Sequence, residues 1–256
     1  MFGIIIVLIM IGLGAGTLGS MIGVGGGLFM TPALTFMGFT PAQIASTSLI
    51  AVTSTSVSST IEYSRQKRID YRIGLKIAAL AIPGAIIGAF LTSKISIEYF
   101  KIYFAIVLML TGLYIVYKNS IIKEKPNKKL KLTIPFHILL YIGSFVAGII
   151  SSLFGIGGGI IFVPMMIILL RMAMLRAGPT SQLTLLITSL TGMSTHVILG
   201  HPDYIDGISL AVGAFIGGQI GARLSPHVKE SILQKLLSIT LIGVGIKLLF
   251  DFINRK

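Results

Sequence analysis

The chain of 256 residues contains no cysteine and few charged residues. The absence of cysteine excludes disulfide bonds, thiolate chemistry and metal sites with cysteine ligands. Charged residues make up 11% of the sequence, whereas a soluble domain usually contains about 25%. Together with a hydrophobic content of 54%, this composition excludes an ordinary soluble globular protein.

Long stretches of the sequence carry no charge at all. Asp, Glu, Lys and Arg are absent from residues 1–61, 132–170, 177–202 and 207–222. A helix needs about 20 apolar residues to cross a bilayer, so these stretches are long enough for several crossings. The sequence therefore predicts a multi-pass membrane protein.

The apolar pattern predicts an all-α protein with about five helical segments in each half. The segments of the first half are expected at about 3–22, 27–38, 42–63, 73–93 and 99–118. Those of the second half are expected at about 134–153, 159–170, 176–199, 205–226 and 231–251. The second segment of each half has about 12 residues, which is too few to span a bilayer alone and indicates a half-helix.

The two halves contain the same motifs in the same order. Residues 23–32 match residues 155–164, with four glycines in the first five positions and a proline at the last. The later pairs are Thr47-Ser48 with Thr180-Ser181, Asp70-Tyr71 with Asp203-Tyr204, and Gly84–Ala89 with Gly217–Ala222. Because the offset stays at 132 or 133 residues, gene duplication is the economical explanation. We predict repeat 1 at 1–118, a basic cytoplasmic linker at 119–132 and repeat 2 at 133–256.

The loop charges predict that the two repeats have opposite orientations in the membrane. In repeat 1 the loop after the third segment is basic, whereas the equivalent loop around Asp203 carries no Lys or Arg. The loop before the third segment shows the reverse, since only repeat 2 has basic residues there, Arg171 and Arg176. Basic residues collect on the cytoplasmic side, so an inverted repeat places both basic loops and the lysine-rich linker in the cytoplasm. Inverted repeats are a recurring plan among secondary transporters.

The glycine motifs predict a break in the helix inside each uncharged stretch. Each glycine costs about 1 kcal/mol relative to alanine in a helix, so four glycines in five positions favour unwinding. A helix that restarts after the break presents free N–H groups and the positive end of its dipole. Two such ends, one from each repeat, would form a site for a small anion. The predicted site residues are Gly25, Gly26, Gly27, Gly157, Gly158 and Gly159.

The duplicated Thr-Ser pairs are predicted to add side-chain donors to this site. Hydroxyl groups beside a helix break can donate to an anion, and Pro179 is expected to disturb its helix because it has no N–H group. The candidates are Thr47, Ser48, Thr180, Ser181 and, as an additional amide donor, Gln182. Two structural alternatives stay open: the glycines permit close helix packing, and the hydroxyls bond to the backbone of their own helices.

Other kinds of site find no support in the sequence. The four histidines are scattered, so neither a metal site nor a cofactor is predicted, and no carboxylate is placed to orient His196 in a hydrolase. A dinucleotide loop is not matched, because Leu28 stands at the third glycine position of GxGxxG. Cytoplasmic loops explain the excess of 21 Lys and Arg over 8 Asp and Glu, so no nucleic-acid partner is predicted. We therefore expect a protein that is not an enzyme.

These motifs resemble a known family. The duplicated glycine motif, Thr-Ser pair, Asp-aromatic turn and Gly-xxx-Gly-Ala helix are similar to those of the TauE/SafE sulfite exporter family, also called the 4-toluene sulfonate uptake permease family. The resemblance covers nearly the whole chain. The family's usual Gly-Thr-Ser is Ser46-Thr47-Ser48 in repeat 1 and Pro179-Thr180-Ser181 in repeat 2, so both repeats depart from it at the glycine.

The resemblance implies a secondary transporter of sulfite, sulfonates or other small sulfur-containing anions. Such a protein would act in the cytoplasmic membrane by alternating access, with export as the expected direction. The residues themselves argue only for a small anion. An anion channel, or a carrier for another small organic anion on the same scaffold, is the alternative. The expected partners are the anionic substrate and the lipid bilayer, and a homo-oligomer stays open.

Overall fold

Ten α-helices and one 3-10 turn form the part of the chain that the structure describes. The structure is a computed structural model and describes residues 2–122 and 136–253. The helices of repeat 1 are α1 (Phe2–Ile22), α2 (Gly27–Phe36), α3 (Pro41–Arg65), α4 (Tyr71–Thr92) and α5 (Ile97–Ile122). Those of repeat 2 are α6 (Phe136–Phe154), α7 (Gly159–Ile168), α8 (Met174–Ile198), α9 (Tyr204–Leu224) and α10 (Glu230–Ile253), with the 3-10 turn at Ser225–His227.

The predicted all-helical fold is confirmed, and no strand occurs in residues 2–122 and 136–253. The half-helices α2 and α7 have 10 residues each and begin at Gly27 and Gly159, where the sequence predicts them. Among the described residues, four helices, α1, α3, α4 and α9, are long and apolar enough to cross a membrane. The predicted linker begins as the last turn of α5, which continues to Ile122, and its residues 123–132 lie outside the described residues.

Capping residues explain where several helices begin. Thr40 and Gln43 form a capping box at the start of α3, and Pro41 occupies the first helical position, where a missing N–H group costs nothing. Asp70 caps α4 and Asp203 caps α9, and each carboxylate accepts a bond from the N–H group three residues further on. The equivalent Asp residues of the two repeats therefore have the same local role.

Glycines allow two pairs of helices to approach until their backbones touch. In α4, Gly84 and Gly88 lie against the carbonyl oxygens of Phe145 and Ile149 in α6. The equivalent contacts of α9 with α1 are Gly217 with Leu13 and Gly221 with Thr17. A side chain at any of these glycines would overlap backbone atoms of the neighbouring helix, so the Gly-xxx-Gly motifs are packing motifs.

Helices α1, α3 and α9 run in the same direction, because the numbers of their contacting residues rise together. The pairs are Leu13–Gly217 and Thr17–Gly221 between α1 and α9, and Ser54–Ala211 and Ser58–Phe215 between α3 and α9. Helices α4, α6 and α8 are parallel to one another by the same criterion. Their pairs are Gly84–Phe145 and Gly88–Ile149 between α4 and α6, and Asp70–Thr180 and Gly74–Thr184 between α4 and α8.

The two sets of helices run in opposite directions. Thr53 donates to Ser189 at 3.0 Å and Ser56 donates to Gln182 at 3.2 Å, so α3 and α8 are antiparallel. Helices at equivalent positions of the two repeats, such as α3 and α8 or α1 and α6, therefore point in opposite directions. An inverted repeat requires this arrangement, and its orientation in a bilayer stays a prediction, as do the exact repeat boundaries.

The expected disturbance at Pro179 is wrong, since α8 runs without interruption from Met174 to Ile198. Proline removes the helical bond to the carbonyl four residues earlier, which here belongs to Leu175. The Nε group of Arg68 donates to this Leu175 oxygen at 3.0 Å. A side chain from a neighbouring loop therefore satisfies the carbonyl that the proline leaves free, and the helix continues.

Candidate functional site

Left-handed glycines shape both helix breaks. Gly26 and Gly158 are the N-caps of α2 and α7, with φ values of 85° and 77°. Four further glycines of the breaks, Gly23, Gly25, Gly155 and Gly157, have φ between 72° and 88°. Residues with a side chain rarely adopt this backbone conformation, so the break requires glycine at these positions.

The two breaks touch each other, and we call this contact of residues 23–27 with residues 155–159 the junction. A Cβ atom added at Gly27 would lie 2.6 Å from the carbonyl oxygen of Gly155. A Cβ atom added at the equivalent Gly159 would lie 2.5 Å from the Cα atom of Val24. The N-termini of α2 and α7 therefore meet, as the sequence predicts for the two restarted helices.

The junction brings together the positive ends of two helix dipoles, and no charged side chain forms it. The N–H groups of Phe29 and Met30 donate to the Gly26 oxygen at 3.0 and 3.2 Å, so helical bonding in α2 starts there. The equivalent bonds of α7 end on the Gly158 oxygen. Earlier N–H groups of a helix have no carbonyl of a preceding turn to bond, and they carry the positive end of its dipole. Two such ends together suit an anion.

Ser48 and Ser181 each flank the break of the other repeat. Ser181, in α8, donates from Oγ to the Gly23 oxygen at 2.8 Å. Ser48, in α3, lies against Gly155, since a Cβ atom added there would be 3.0 Å from the Ser48 Cβ. The Thr31 hydroxyl of α2, which donates to the Phe154 oxygen at 2.9 Å, lies 3.4 Å from the Ser48 Oγ. The structure thus brings both predicted serines to the junction, each beside the break of the other repeat.

Gln182 and Thr180 have partners in neighbouring helices. The amide nitrogen of Gln182 donates to the Gly19 oxygen at 3.3 Å, and its amide oxygen accepts from Ser56 at 3.2 Å. Thr180 accepts a bond from the N–H group of Asp70 at 3.0 Å. Gln182 therefore lies beside the first break, whereas the hydroxyl of Thr180 bonds to the start of α4.

Four buried hydroxyls find no hydrogen-bond partner among the described residues, those of Thr47, Thr60, Ser151 and Ser152. One belongs to a predicted site residue, Thr47, which is fully buried in α3 next to Ser48. Another belongs to Ser151 of α6, whose Cβ lies 3.1 Å from a Cβ atom added at Gly158. The sequence reading missed Ser151 because its equivalent in repeat 1 is Gly19, so the pair carries no shared motif.

Val52 and Leu185 fill the space between the two breaks. A Cβ atom added at Gly25 would lie 3.1 Å from a Leu185 methyl and 3.2 Å from a Val52 methyl. The same two side chains lie 2.9 and 2.6 Å from a Cβ atom added at Gly157. The sequence reading also missed this pair, because aliphatic residues are ordinary in apolar helices. Their common offset of 133 is the signal that could have found them.

Tyr63 and His196 occupy equivalent positions and make equivalent contacts. The Tyr63 hydroxyl donates to the Ser20 oxygen at 2.7 Å, and the His196 Nε2 lies 3.1 Å from the oxygen of the equivalent Ser152. The Nδ1 of His196 lies 2.8 Å from the Nδ1 of His201 in the following loop. Burial lowers the pKa of His201 below its ordinary value, so this ring is neutral at pH 7. Tyr63 and His196 therefore each join the end of their own helix to the backbone of another helix.

Comparison with known proteins identifies the family. The family model for the sulfite exporter TauE/SafE matches residues 8–248. The chain belongs to the TauE/SafE sulfite exporter family. The family resemblance predicted from the glycine, Thr-Ser and Asp-aromatic motifs is thereby confirmed. The chain is accordingly a multi-pass membrane protein of a transporter family.

Curated TauE/SafE relatives align along nearly their whole length. The chain is 32% identical to the probable membrane transporter protein YunE of Bacillus subtilis, covering 96% of this chain and 97% of that protein. It is 28% identical to the probable membrane transporter protein YdhB of the same organism, covering 96% and 99%. It is 26% identical to the probable membrane transporter protein MJ0441 of Methanocaldococcus jannaschii, covering 94% of each. No solved structure gives a significant match.

Proposed function

We propose that this protein is a secondary transporter that exports small sulfur-containing anions, such as sulfite or organosulfonates, across the cytoplasmic membrane by alternating access. The observation that carries the proposal is the junction, where two helix N-termini meet without a charged side chain. N–H groups, Ser48 and Ser181 would hold the anion there. Binding by dipoles and hydroxyls is weaker than binding by a fixed charge, which favours release on the far side.

The comparisons support a transporter. The substrate class is proposed from the chemistry of the junction. The relatives are named probable membrane transporter proteins, and the family is described as sulfite exporters. Sulfite and sulfonates carry several oxygens around one centre, so N–H groups from two helices can bind the same molecule at once.

The tight packing at the junction supports alternating access over a permanently open path. Val52 and Leu185 fill the space between Gly25 and Gly157, and the two breaks contact each other directly. An anion can enter only when these contacts loosen. Because α2 and α7 belong to repeats that run in opposite directions, a movement that opens one repeat closes the equivalent path of the other.

The test is transport by the purified protein in liposomes. We expect saturable, substrate-dependent flux of labelled sulfite or methanesulfonate. In Ser48→Ala the KM should rise about tenfold, the effect of losing one hydrogen bond to a charged group. The matched control is Ser59→Ala. Ser59 is also buried in α3, but its hydroxyl donates to the Thr55 oxygen of the same helix at 2.8 Å.

Absence of flux for every sulfur oxyanion tested would contradict the proposal. An equal effect of Ser48→Ala and Ser59→Ala would remove Ser48 from the substrate site. Single-channel currents, or flux that does not saturate, would assign the protein to the anion channels instead of the carriers.

A further inference from the structure

We infer that the protein has a second anion-binding site, in a cavity away from the junction, and that Lys101 is its binding group. The cavity has a volume of about 640 Å³ and lies between the end of α2, the turn into α3 and the start of α5. Its lining includes Lys101, Thr35, Thr40 and Ser96. We call it the Lys101 cavity. Its volume is in the range of ordinary small-ligand sites.

Lys101 is a largely buried residue whose side chain has no protein partner among the described residues. Lys101 is 8% exposed, and its side chain makes no ion pair or hydrogen bond within the described part of the chain. An ammonium group at the wall of a partly enclosed cavity loses part of its hydration, which an opposite charge or several acceptors can replace. The cavity beside it provides room for a ligand that supplies this opposite charge. That ligand is an anion.

The surroundings of the cavity add positive potential. Helix α3 begins at Pro41 after its N-cap Thr40, and α5 begins at Ile97 after Ser96, and all four residues line the cavity. The positive ends of two long helices therefore lie at its wall. A second cation is close, because the Lys247 Nζ lies 4.0 Å from the ring centre of Phe36, which also lines the cavity.

Residues with hydroxyl groups lie between the Lys101 cavity and the junction. Thr35, at the cavity wall, donates to the Thr31 oxygen at 2.7 Å. Thr31, one turn earlier in α2, donates to the Phe154 oxygen at 2.9 Å and lies 3.4 Å from the Oγ of Ser48, which flanks the second break. The cavity is placed to collect or release anions for the junction. This role as a vestibule rests on the proposed transport function, whereas anion binding by the cavity does not.

The first test measures the charge selectivity of the cavity with a single cysteine in the cysteine-free chain. Ser96→Cys places a thiol at its wall in the purified, detergent-solubilised protein. The readout is the ratio of its labelling rates with a sulfonate-bearing and a trimethylammonium-bearing methanethiosulfonate. In the Lys101→Gln background this ratio should fall about tenfold, because one unit charge a few ångströms away acts oppositely on the two reagents. Lys101→Arg should keep the ratio.

The matched control is Lys94→Gln, which removes the same charge from an exposed position two residues before Ser96. Solvent screens an exposed charge, so the ratio should change less than twofold. An equal fall in Lys94→Gln and Lys101→Gln would overturn the inference. An unchanged ratio of the two labelling rates in Lys101→Gln, compared with the Ser96→Cys protein that retains Lys101, would also overturn the inference.

The second test measures binding directly. Methanesulfonate should slow labelling of Ser96→Cys by an uncharged maleimide, and this protection should disappear with Lys101→Gln but persist with Lys94→Gln. Sulfite is unsuitable here because it consumes the reagent. No protection by methanesulfonate or sulfate would refute the cavity site, whatever the transport assay shows. Protection without any flux in liposomes would support the cavity site and refute the proposed transport function.

Discussion

Many buried hydroxyls among the described residues donate to a carbonyl oxygen of their own helix. Ser46, Thr53 and Ser59 in α3 all do so, at 2.7 to 2.8 Å. The Thr47 hydroxyl is an exception, as it lies in the same helix without a partner in the described residues. An unsatisfied buried hydroxyl costs stability unless a ligand uses it. At the scale of single residues, Thr47 is therefore a candidate for contact with the substrate, as is Ser151.

Replacing Thr47 by valine should separate binding from stability. Valine has nearly the same shape and removes only the unpartnered hydroxyl. We expect Thr47→Val to change the stability by less than about 1 kcal/mol while the transport KM rises about tenfold. In the control Thr53→Val, loss of the bonds to Leu49 and Ser189 should cost about 1–2 kcal/mol. Thermal unfolding and liposome transport check both, and an unchanged KM in Thr47→Val would exclude a substrate contact.

The capping glycine Gly26 gives a second prediction at this scale. Gly26→Ala forces a side chain into a left-handed conformation, which costs roughly 1–2 kcal/mol, and places its Cβ 2.8 Å from the Ala15 oxygen. In Gly38→Ala only the conformational cost applies, because φ is 88° and no atom lies within 4 Å. We expect Gly26→Ala to lower the thermal unfolding temperature distinctly more than Gly38→Ala. Equal losses would mean that the backbone at the junction adjusts freely.

The sequence predicts some of these residues and misses others for a physical reason. Glycine has a local property, freedom at positive φ, so the breaks at Gly25 and Gly157 are visible from the chain alone. The role of Val52, Leu185 or Ser151 depends on which helices face each other across the repeats. Nothing local distinguishes an aliphatic residue at the junction from one that faces lipid, so these three emerge only from the packing.

At the scale of helices, the close pairs α1 with α9 and α4 with α6 depend on glycine at the contact. Gly217 lies against the Leu13 oxygen, whereas Gly14 in α1 is exposed and has no atom within 4 Å of an added Cβ. The two glycines therefore allow a direct comparison of substitution inside and outside a helix contact.

Gly217→Ala should destabilise the protein by at least about 2 kcal/mol, because the added methyl group pushes α1 away from α9. Gly14→Ala should leave the stability unchanged or raise it by up to about 1 kcal/mol, since alanine favours the helix. Thermal unfolding in detergent monitored by size-exclusion chromatography measures both. If Gly217→Ala is as stable as Gly14→Ala, α1 and α9 can separate enough to accept a methyl group without loss of stability.

The helices themselves are well predicted from the sequence, because their apolar periods and caps are local. Both half-helices start at the predicted glycine, and α4 and α9 start after the predicted Asp turns. The disturbance expected at Pro179 does not interrupt α8, and the reason is instructive. A proline interrupts a helix by freeing one carbonyl, and here Arg68 from another loop satisfies that carbonyl. No local reading of α8 could include this partner.

At the scale of the whole molecule, seven basic residues lie on one face. Arg68 donates to the Leu175 oxygen and to the Ser225 hydroxyl, so the α3–α4 loop, the start of α8 and the end of α9 lie on one face. Basic residues of this face are Arg65, Lys67, Arg68, Arg72, Arg171, Arg176 and Arg223. Both basic loops predicted to be cytoplasmic are therefore neighbours, which favours the inverted topology.

Cysteine accessibility in intact cells tests this topology. A membrane-impermeant maleimide added from outside should label Lys94→Cys but not Arg65→Cys or Arg176→Cys. The last two should react only after the membrane is opened, because both lie on the basic face. Labelling of Arg176→Cys from outside, together with protection of Arg65→Cys, would contradict the inverted arrangement of the repeats.

The direct contact of the two glycine breaks also constrains how such a chain could have arisen. Each break is covered by the other repeat, so a single repeat would leave an unwound backbone exposed to lipid, where unpaired N–H and carbonyl groups are expensive. If both repeats descend from one ancestral segment, that segment had to insert in both orientations and pair with its own inverted copy. Fusion of the two genes would then have linked, in one chain, two subunits that the ancestor assembled from separate chains.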